Sequence, residues 1–129
     1  MRPPNNANII EFPTSIMWWD EGILCSVAKK APQQTVEEVK KTIEEFKKIT
    51  GGKKVCLLSD STDSSPANKE MRDFAAEVIP EIVKAIAIIS RSAVGKMAAN
   101  LFFSIKKQSY PVKMFTDENE AKEWLKQYL

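Results

Sequence analysis

Two apolar runs, Val55-Cys56-Leu57-Leu58 and Val83 to Ile89, constrain this chain more than any other feature. Each is too short to be a buried helix, each is bounded by turn-forming residues, and neither alternates apolar with polar positions. Such a run is a strand covered on both faces, the usual condition of a strand in a parallel sheet. Parallel neighbours cannot be joined by a tight turn, and amphipathic helical segments stand where crossovers are needed. From residue 53 onward the order reads strand, helix, strand, helix, strand, helix, with connections of a few residues. That order predicts three strands side by side in one direction.

The helices announce themselves by spacing. Thr35-Val36-Glu37-Glu38 has the pattern of a capping box, Val36, Val39, Ile43, Phe46 and Ile49 recur at three and four residues, and Gly51-Gly52 supplies a stop. A second helix is expected to begin at Ser65-Pro66, turn Met71, Phe74, Ala75, Val78 and Ile79 inward, and close at Pro80. A third follows Ser90-Arg91-Ser92 and is expected to bury Val94, Met97, Ala98, Leu101, Phe102 and Ile105. The last strand spans 111–115, and Thr116 or Asp117 caps a fourth helix with Ala121, Trp124, Leu125 and Tyr128 inward.

The first third differs. Short strands are expected at 8–12, 15–19 and 22–28, the last two joined by a three-residue bulged turn at Asp20-Glu21-Gly22. Trp18 and Trp19 are strand neighbours and must point to opposite faces, so one of them is expected to stay partly exposed. The reading is an α/β fold of a single domain over 8–129, after a flexible N-terminus at 1–7. An N-terminal β meander is followed by alternating helices and parallel strands in one mixed sheet with about four helices.

Composition narrows the function classes. The 129 residues, 43% of them hydrophobic, suffice for one core. The 19 basic and 17 acidic residues leave a formal charge of +2 with the signs interspersed, which gives no electrostatic footprint for nucleic acid. The N-terminus lacks the features of an export signal and no apolar run approaches the ~18 residues of an integral membrane segment, so a cytoplasmic protein is expected. Cys25 and Cys56 both fall inside expected strands and read as small buried hydrophobes. Histidine is absent, which removes Ser/His/Asp and Cys/His catalysis and the common zinc sites. Nothing in the chain calls for a cofactor or a metal.

If the strands are parallel, their carboxyl ends share one edge, where open α/β sheets place their ligands. That edge would gather Asp60, Ser61, Asp63, Ser64 and Ser65, then Ser90 and Arg91, then Thr116. Each group precedes a helix N-terminus, whose free amides favour an anion, and Arg91 could clamp one with two parallel bonds. Helix capping accounts for Ser65, Ser92 and Thr116. It does not account for the surplus, seven polar residues in a row from Ser59 to Ser65, and surplus polar groups in a loop on a rigid frame point to binding. An aspartate after a buried strand also suggests an aspartyl-phosphate site, but that chemistry needs further acids for magnesium and a cation behind the last strand, where Thr116-Asp117 stand instead. Trp18, Trp19 and Phe103 are the rings expected to mark a subunit interface.

The whole arrangement resembles the small bacterial STAS-like domains, built on the fold of the anti-sigma-factor antagonists, over about residues 8–129. The tail is the more specific part. Ile86 to Ile89, Asn100, Pro111, Phe115, Ala121, Trp124 and Leu125 stand as in an uncharacterised STAS-like family. In regulatory members a serine of an Asp-Ser-Ser-Gly stretch at the start of a helix is phosphorylated and switches partner binding, and Asp63-Ser64-Ser65 resembles part of that stretch, with Pro66 in place of the glycine. The resemblance implies a non-enzymatic regulatory module. It would dock an unidentified protein partner through loop 59–66 and the following helix, with Ser64 or Ser65 as a phospho-switch and homodimerisation open. The alternatives are a binding protein for a small apolar or anionic ligand held between that loop and the aromatic residues, and a magnesium-dependent enzyme using Asp60.

Overall fold

The computed structural model describes residues 1–103 and 108–129, Phe103 by its backbone alone. The expectations for the Phe103 ring and for Ile105 therefore lie outside the described residues. The elements follow the order β1 (Ile10–Glu11), β2 (Ser15–Asp20), β3 (Ile23–Ala28), α1 (Val36–Thr50), β4 (Val55–Asp60), α2 (Lys69–Ile82), β5 (Val83–Ile89), α3 (Ala93–Phe103), β6 (Val112–Phe115) and α4 (Glu118–Lys126). The strands form one sheet in chain order, β1 to β6. β1, β2 and β3 pair antiparallel; β3, β4, β5 and β6 pair parallel. The molecule is thus an α/β domain in which a meander feeds a parallel sheet.

The placement of the helices follows from this order. All three crossovers step the same way across the sheet, and crossovers of one hand taking the same step must leave their helices on the same face. Phe46 of α1, Ala75, Ile79 and Ile82 of α2 and Ala99 of α3 accordingly share one core with Leu24, Ile86 and Ile88. α4, which follows β6, covers the opposite face, where Ala121 and Leu125 pack with Trp18, Cys25, Cys56, Leu58, Ala85, Ala87 and Ile89. β5 supplies alternate residues to both cores, which is why its sequence reads as unbroken apolar. Lys122 bonds Asp20 at 2.7 Å and Lys126 pairs with Glu21 at 2.9 Å, so α4 is also tied to the β2–β3 hairpin.

Several local features depart from expectation. The hairpin turn has two residues rather than three: Asp20 pairs with Ile23, and Glu21 and Gly22 both take left-handed φ, 53° and 81°. Two successive left-handed residues give a turn whose twist matches that of the flanking strands. β1 keeps only two residues and covers only Ile16 and Met17 of β2. Trp18 is 1% exposed and lies in the core beneath α4, which removes it from the interface candidates, while Trp19 is 43% exposed.

α1 begins at Thr35 with both halves of the capping box formed and ends at Gly51, φ 66°. α2 starts three residues later than the Ser65-Pro66 signal suggests, because Asn68 is the residue whose side chain accepts the Met71 amide, at 2.9 Å. Pro80 does not end it. The proline φ suits a helix, and α2 runs on to Ile82 before Val83 turns extended. α3 is rotated from the expected face: Gly95, Ala98 and Ala99 are buried, whereas Val94, Met97 and Leu101 are 55%, 49% and 40% exposed. The small residues win the inward positions because α3 lies close against the end of β4, as the site geometry makes plain.

Candidate functional site at the carboxyl edge

Parallel pairing sets Asp60 opposite Ile89 and Ile89 opposite Phe115, so the exits of β4, β5 and β6 lie level along one edge. The ladder continues one step past β4, where the Ser61 amide donates to the Ile89 carbonyl at 2.8 Å. Asp60 then folds its own loop: one carboxylate oxygen accepts from the Thr62 amide at 3.0 Å and from the Thr62 hydroxyl at 2.6 Å. This is the aspartate-led turn that short acidic side chains favour. The same Thr62 hydroxyl oxygen accepts the Arg91 amide at 3.0 Å, which joins the β4 exit to the β5 exit.

Ser92 extends the link. Its hydroxyl donates to the Thr62 carbonyl at 2.7 Å and accepts the Gly95 amide at 2.9 Å, so the cap of α3 is also a bond to the neighbouring loop. The Ser90 hydroxyl donates to the Ser92 carbonyl at 3.0 Å. A Cβ on Gly95 would overlap the Ser61 carbonyl oxygen and come within 2.5 Å of the Ser90 hydroxyl. Glycine is therefore the residue that lets the first turn of α3 lie on this knot.

The second Asp60 oxygen meets the Met1 ammonium at 3.0 Å and the Arg91 guanidinium at 3.4 Å. Met1 and Ala7, in the segment expected to be loose, lie against the α4-side core. Burial acts most strongly on the Asp60 carboxyl and would raise its pKa. The Thr62 hydroxyl and amide and the Met1 ammonium outweigh burial together, and the net shift is downward. Asp60 is 4% exposed with both oxygens engaged, so it acts as a buried counter-charge that holds two strand exits together rather than as a group presented to a substrate. Among the described residues, no three cysteine, aspartate or glutamate side chains are grouped so as to hold a metal ion.

The candidate residues thus separate into two sets. Asp60, Ser61, Ser90 and Arg91 meet in the knot, and Ser61 and Ser90 are buried. Asp63 and Ser65 are exposed, and Ser64 is half-buried with its amide donating to the Ser61 carbonyl at 3.1 Å. Thr116 is exposed at the end of β6, and Asp117 takes the cap of α4 by accepting the Asn119 amide. Met1, Thr62, Ser92 and Gly95 are members of the knot that were not among the candidates, Ser92 having been read only as a helix cap. Thr62 and Gly95 had a signal, a threonine two residues after an aspartate and a glycine inside the first turn of a helix, where its flexibility costs stability unless close contact demands it.

Cavities also open away from the knot. One of about 530 Å³ opens between β1 and α1, lined by Ile10, Phe12, Pro13, Lys41 and Ile49 among others. A second of about 340 Å³ lies between the starts of α1 and α2, lined by Gln33, Gln34, Thr35, Asn68, Glu70 and Met71. Trp18 and Trp124 pack into the α4-side core, together with Phe115. No helix among the described residues is long and apolar enough to cross a membrane.

Nothing among the curated proteins matches this chain, and no solved structure does. A family described as a domain of unknown function, DUF7793, matches residues 17–129. The match spans the sheet from within β2 onward, all four helices and every member of the knot except Met1, and the chain belongs to that family.

Proposed function

We propose that this chain is a non-enzymatic protein-interaction module of STAS-like type, docking a partner through loop 59–66 and α2, with Ser64 or Ser65 as the phosphate-accepting switch. One observation carries the reading, the division of labour within the loop. Asp60, Ser61 and Thr62 are consumed by bonds to one another, to Met1, to the end of β5 and to the turn at Arg91 and Ser92, while Asp63 and Ser65 are exposed and Ser64 is half-buried on the stretch that leads into α2. A loop pinned at its root with unspent hydroxyls at its tip suits a partner that reads charge. A phosphate there would add close to two negative charges beside Asp63, enough to repel one docking surface or recruit an Arg-bearing one. Arg91, 60% exposed in its side chain and held to Asp60 by one long contact, is the cation in the network able to turn toward it.

The aspartyl enzyme is the weaker reading, since the Asp60 oxygens are already engaged and its side chain is 5% exposed. The test is peptide mapping of the protein recovered from its own cells, together with Ser64→Ala and Ser65→Ala variants. Phosphate at either serine, lost in the matching variant, supports the switch. A protein that carries no phosphate on this loop in any growth phase removes it.

A further inference from the structure

We propose that the corner of the carboxyl edge over Asp60 is a binding site for a primary ammonium carried on a short apolar group, a site that residues 1–7 of this chain fill in the structure. The inference goes beyond the loop-docking reading and does not depend on it. Strand register brings five side chains level across the sheet: Ile16 lies opposite Val27, Val27 opposite Asp60, Asp60 opposite Ile89 and Ile89 opposite Phe115. Ile16, Val27, Ile89 and Phe115 belong to the α4-side core, and Asp60, two residues past Leu58, points to the same face. The row is apolar with one carboxylate at its centre.

The two oxygens of that carboxylate are held differently. The one bonded to the Thr62 amide and hydroxyl belongs to the loop itself. The other turns to the Met1 ammonium at 3.0 Å and, by a longer contact of 3.4 Å, to the largely exposed Arg91 guanidinium. The end of α4 lies far from it, since the Leu125 carbonyl accepts from the Cys56 thiol at 3.7 Å, four residues and about 13 Å down β4. Asp60 is covered by Met1, whose side chain keeps no exposed area and packs, as Ala7 does, on the α4-side core. The second oxygen therefore serves as a counter-charge within the fold only while Met1 stays in place.

The occupant shows which chemistry the corner accepts, an ammonium against the carboxylate and an unbranched apolar side chain against the core. Its hold is slight. Among the described residues, the hydrogen bonds of residues 1–7 are the Met1 bond to Asp60 and that of the Ala7 amide to the Pro4 carbonyl at 3.0 Å, and strand pairing begins only at Ile10. Val27, Asp60, Ile89 and Phe115 lie within the residues that match the family, and residues 1–7 lie outside them. The corner is thus part of the shared domain, and a free ligand of the same chemistry would compete for it with a short tethered segment. An anion would meet like charge there, and an uncharged apolar ligand would leave the buried oxygen with only the long Arg91 contact.

The test is displacement of Met1 from its corner in the full chain, followed by the NMR signal of the Met1 methyl group at constant ionic strength. The probes are butylammonium, butanol, the peptide of residues 1–4 with a free amine, and the same peptide acetylated. A tethered occupant acts at an effective concentration on the order of millimolar, so the free amines are expected to half-displace it at roughly 10 mM and the neutral forms to leave it in place. Displacement by butylammonium supports the site and assigns it to small amines; displacement by the free-amine peptide alone supports it and assigns it to the N-terminus of a partner polypeptide. A methyl signal that no probe moves below about 100 mM would make residues 1–7 a fixed part of the fold and overturn the proposal. So would a neutral probe that acts as well as its charged counterpart, or a methyl signal already at its unfolded position without any probe. Because Ser64 and Ser65 take no part, the result stands apart from the fate of the phospho-switch.

Discussion

The Cα of Gly95 approaches the end of β4 so closely that a methyl group on it would overlap the carbonyl oxygen of Ser61. The obstacle is backbone, fixed by the Ser61 amide bond to Ile89, and cannot swing aside as a side chain would. At an ordinary helix position Gly→Ala adds about 1 kcal/mol of stability. Here Gly95→Ala should instead cost about 1–3 kcal/mol by forcing α3 off the sheet edge. Urea unfolding of the variant checks the sign, and a midpoint at or above wild type would contradict the close approach.

The Asp60 carboxyl ties the same edge together electrostatically, and its effect should follow pH. Its folded pKa lies below the ordinary value, since the Thr62 bonds and the Met1 ammonium outweigh burial. A group depressed in the folded state contributes stability that is fully present above its unfolded pKa, about 4, and is lost as pH falls through the folded one. Asp60→Asn should cost about 1–3 kcal/mol near neutrality, because the Met1 ammonium and Arg91 lose their counter-charge. It should also flatten the fall in stability on going from about pH 6 to pH 3. Unfolding midpoints of both proteins across that range provide the comparison, and parallel curves would show that another carboxyl carries the acid response.

The two adjacent tryptophans should respond in opposite ways. Trp18 is enclosed between the sheet and α4, so Trp18→Ala should cost about 3–5 kcal/mol. Trp19 is 43% exposed on the other face, and Trp19→Ala should cost under about 1 kcal/mol. Thermal melts of the two variants, with acrylamide quenching of the fluorescence that each retains, distinguish the positions.

Much of the architecture was legible because local and tertiary signals agree. The capping box at Thr35 and Glu38, the doubly buried runs of β4 and β5, and the Ala121 and Leu125 stripe of α4 each have one physical interpretation. Misreadings arose where two residues could perform the same task or where a distant contact decided. Ser65 and Asn68 are both good caps, and only the course of the loop beyond the knot selects Asn68. α3 is apolar on nearly every side, so periodicity could not tell which face is inward; Gly95, Ala98 and Ala99 are chosen by the closeness of β4, a distance no local window contains. The edge itself was foreseen from the parallel strands. The split within it was not, because hydrogen bonds to Thr62 and Ser92 decide which polar groups are consumed.

Because α1, α2 and α3 all lie on one face, the opposite face of the sheet depends on α4, which is synthesised after β6. While the ribosome is still delivering residues beyond β6, Cys25, Cys56, Leu58 and Ile89 have no helix above them, and an apolar plate is open to the cell. Chains emerge at roughly 5–20 residues per second, so that plate is bare for a second or so in every molecule made. Any slowing of translation just upstream of Glu118 lengthens the interval in which that plate waits for α4.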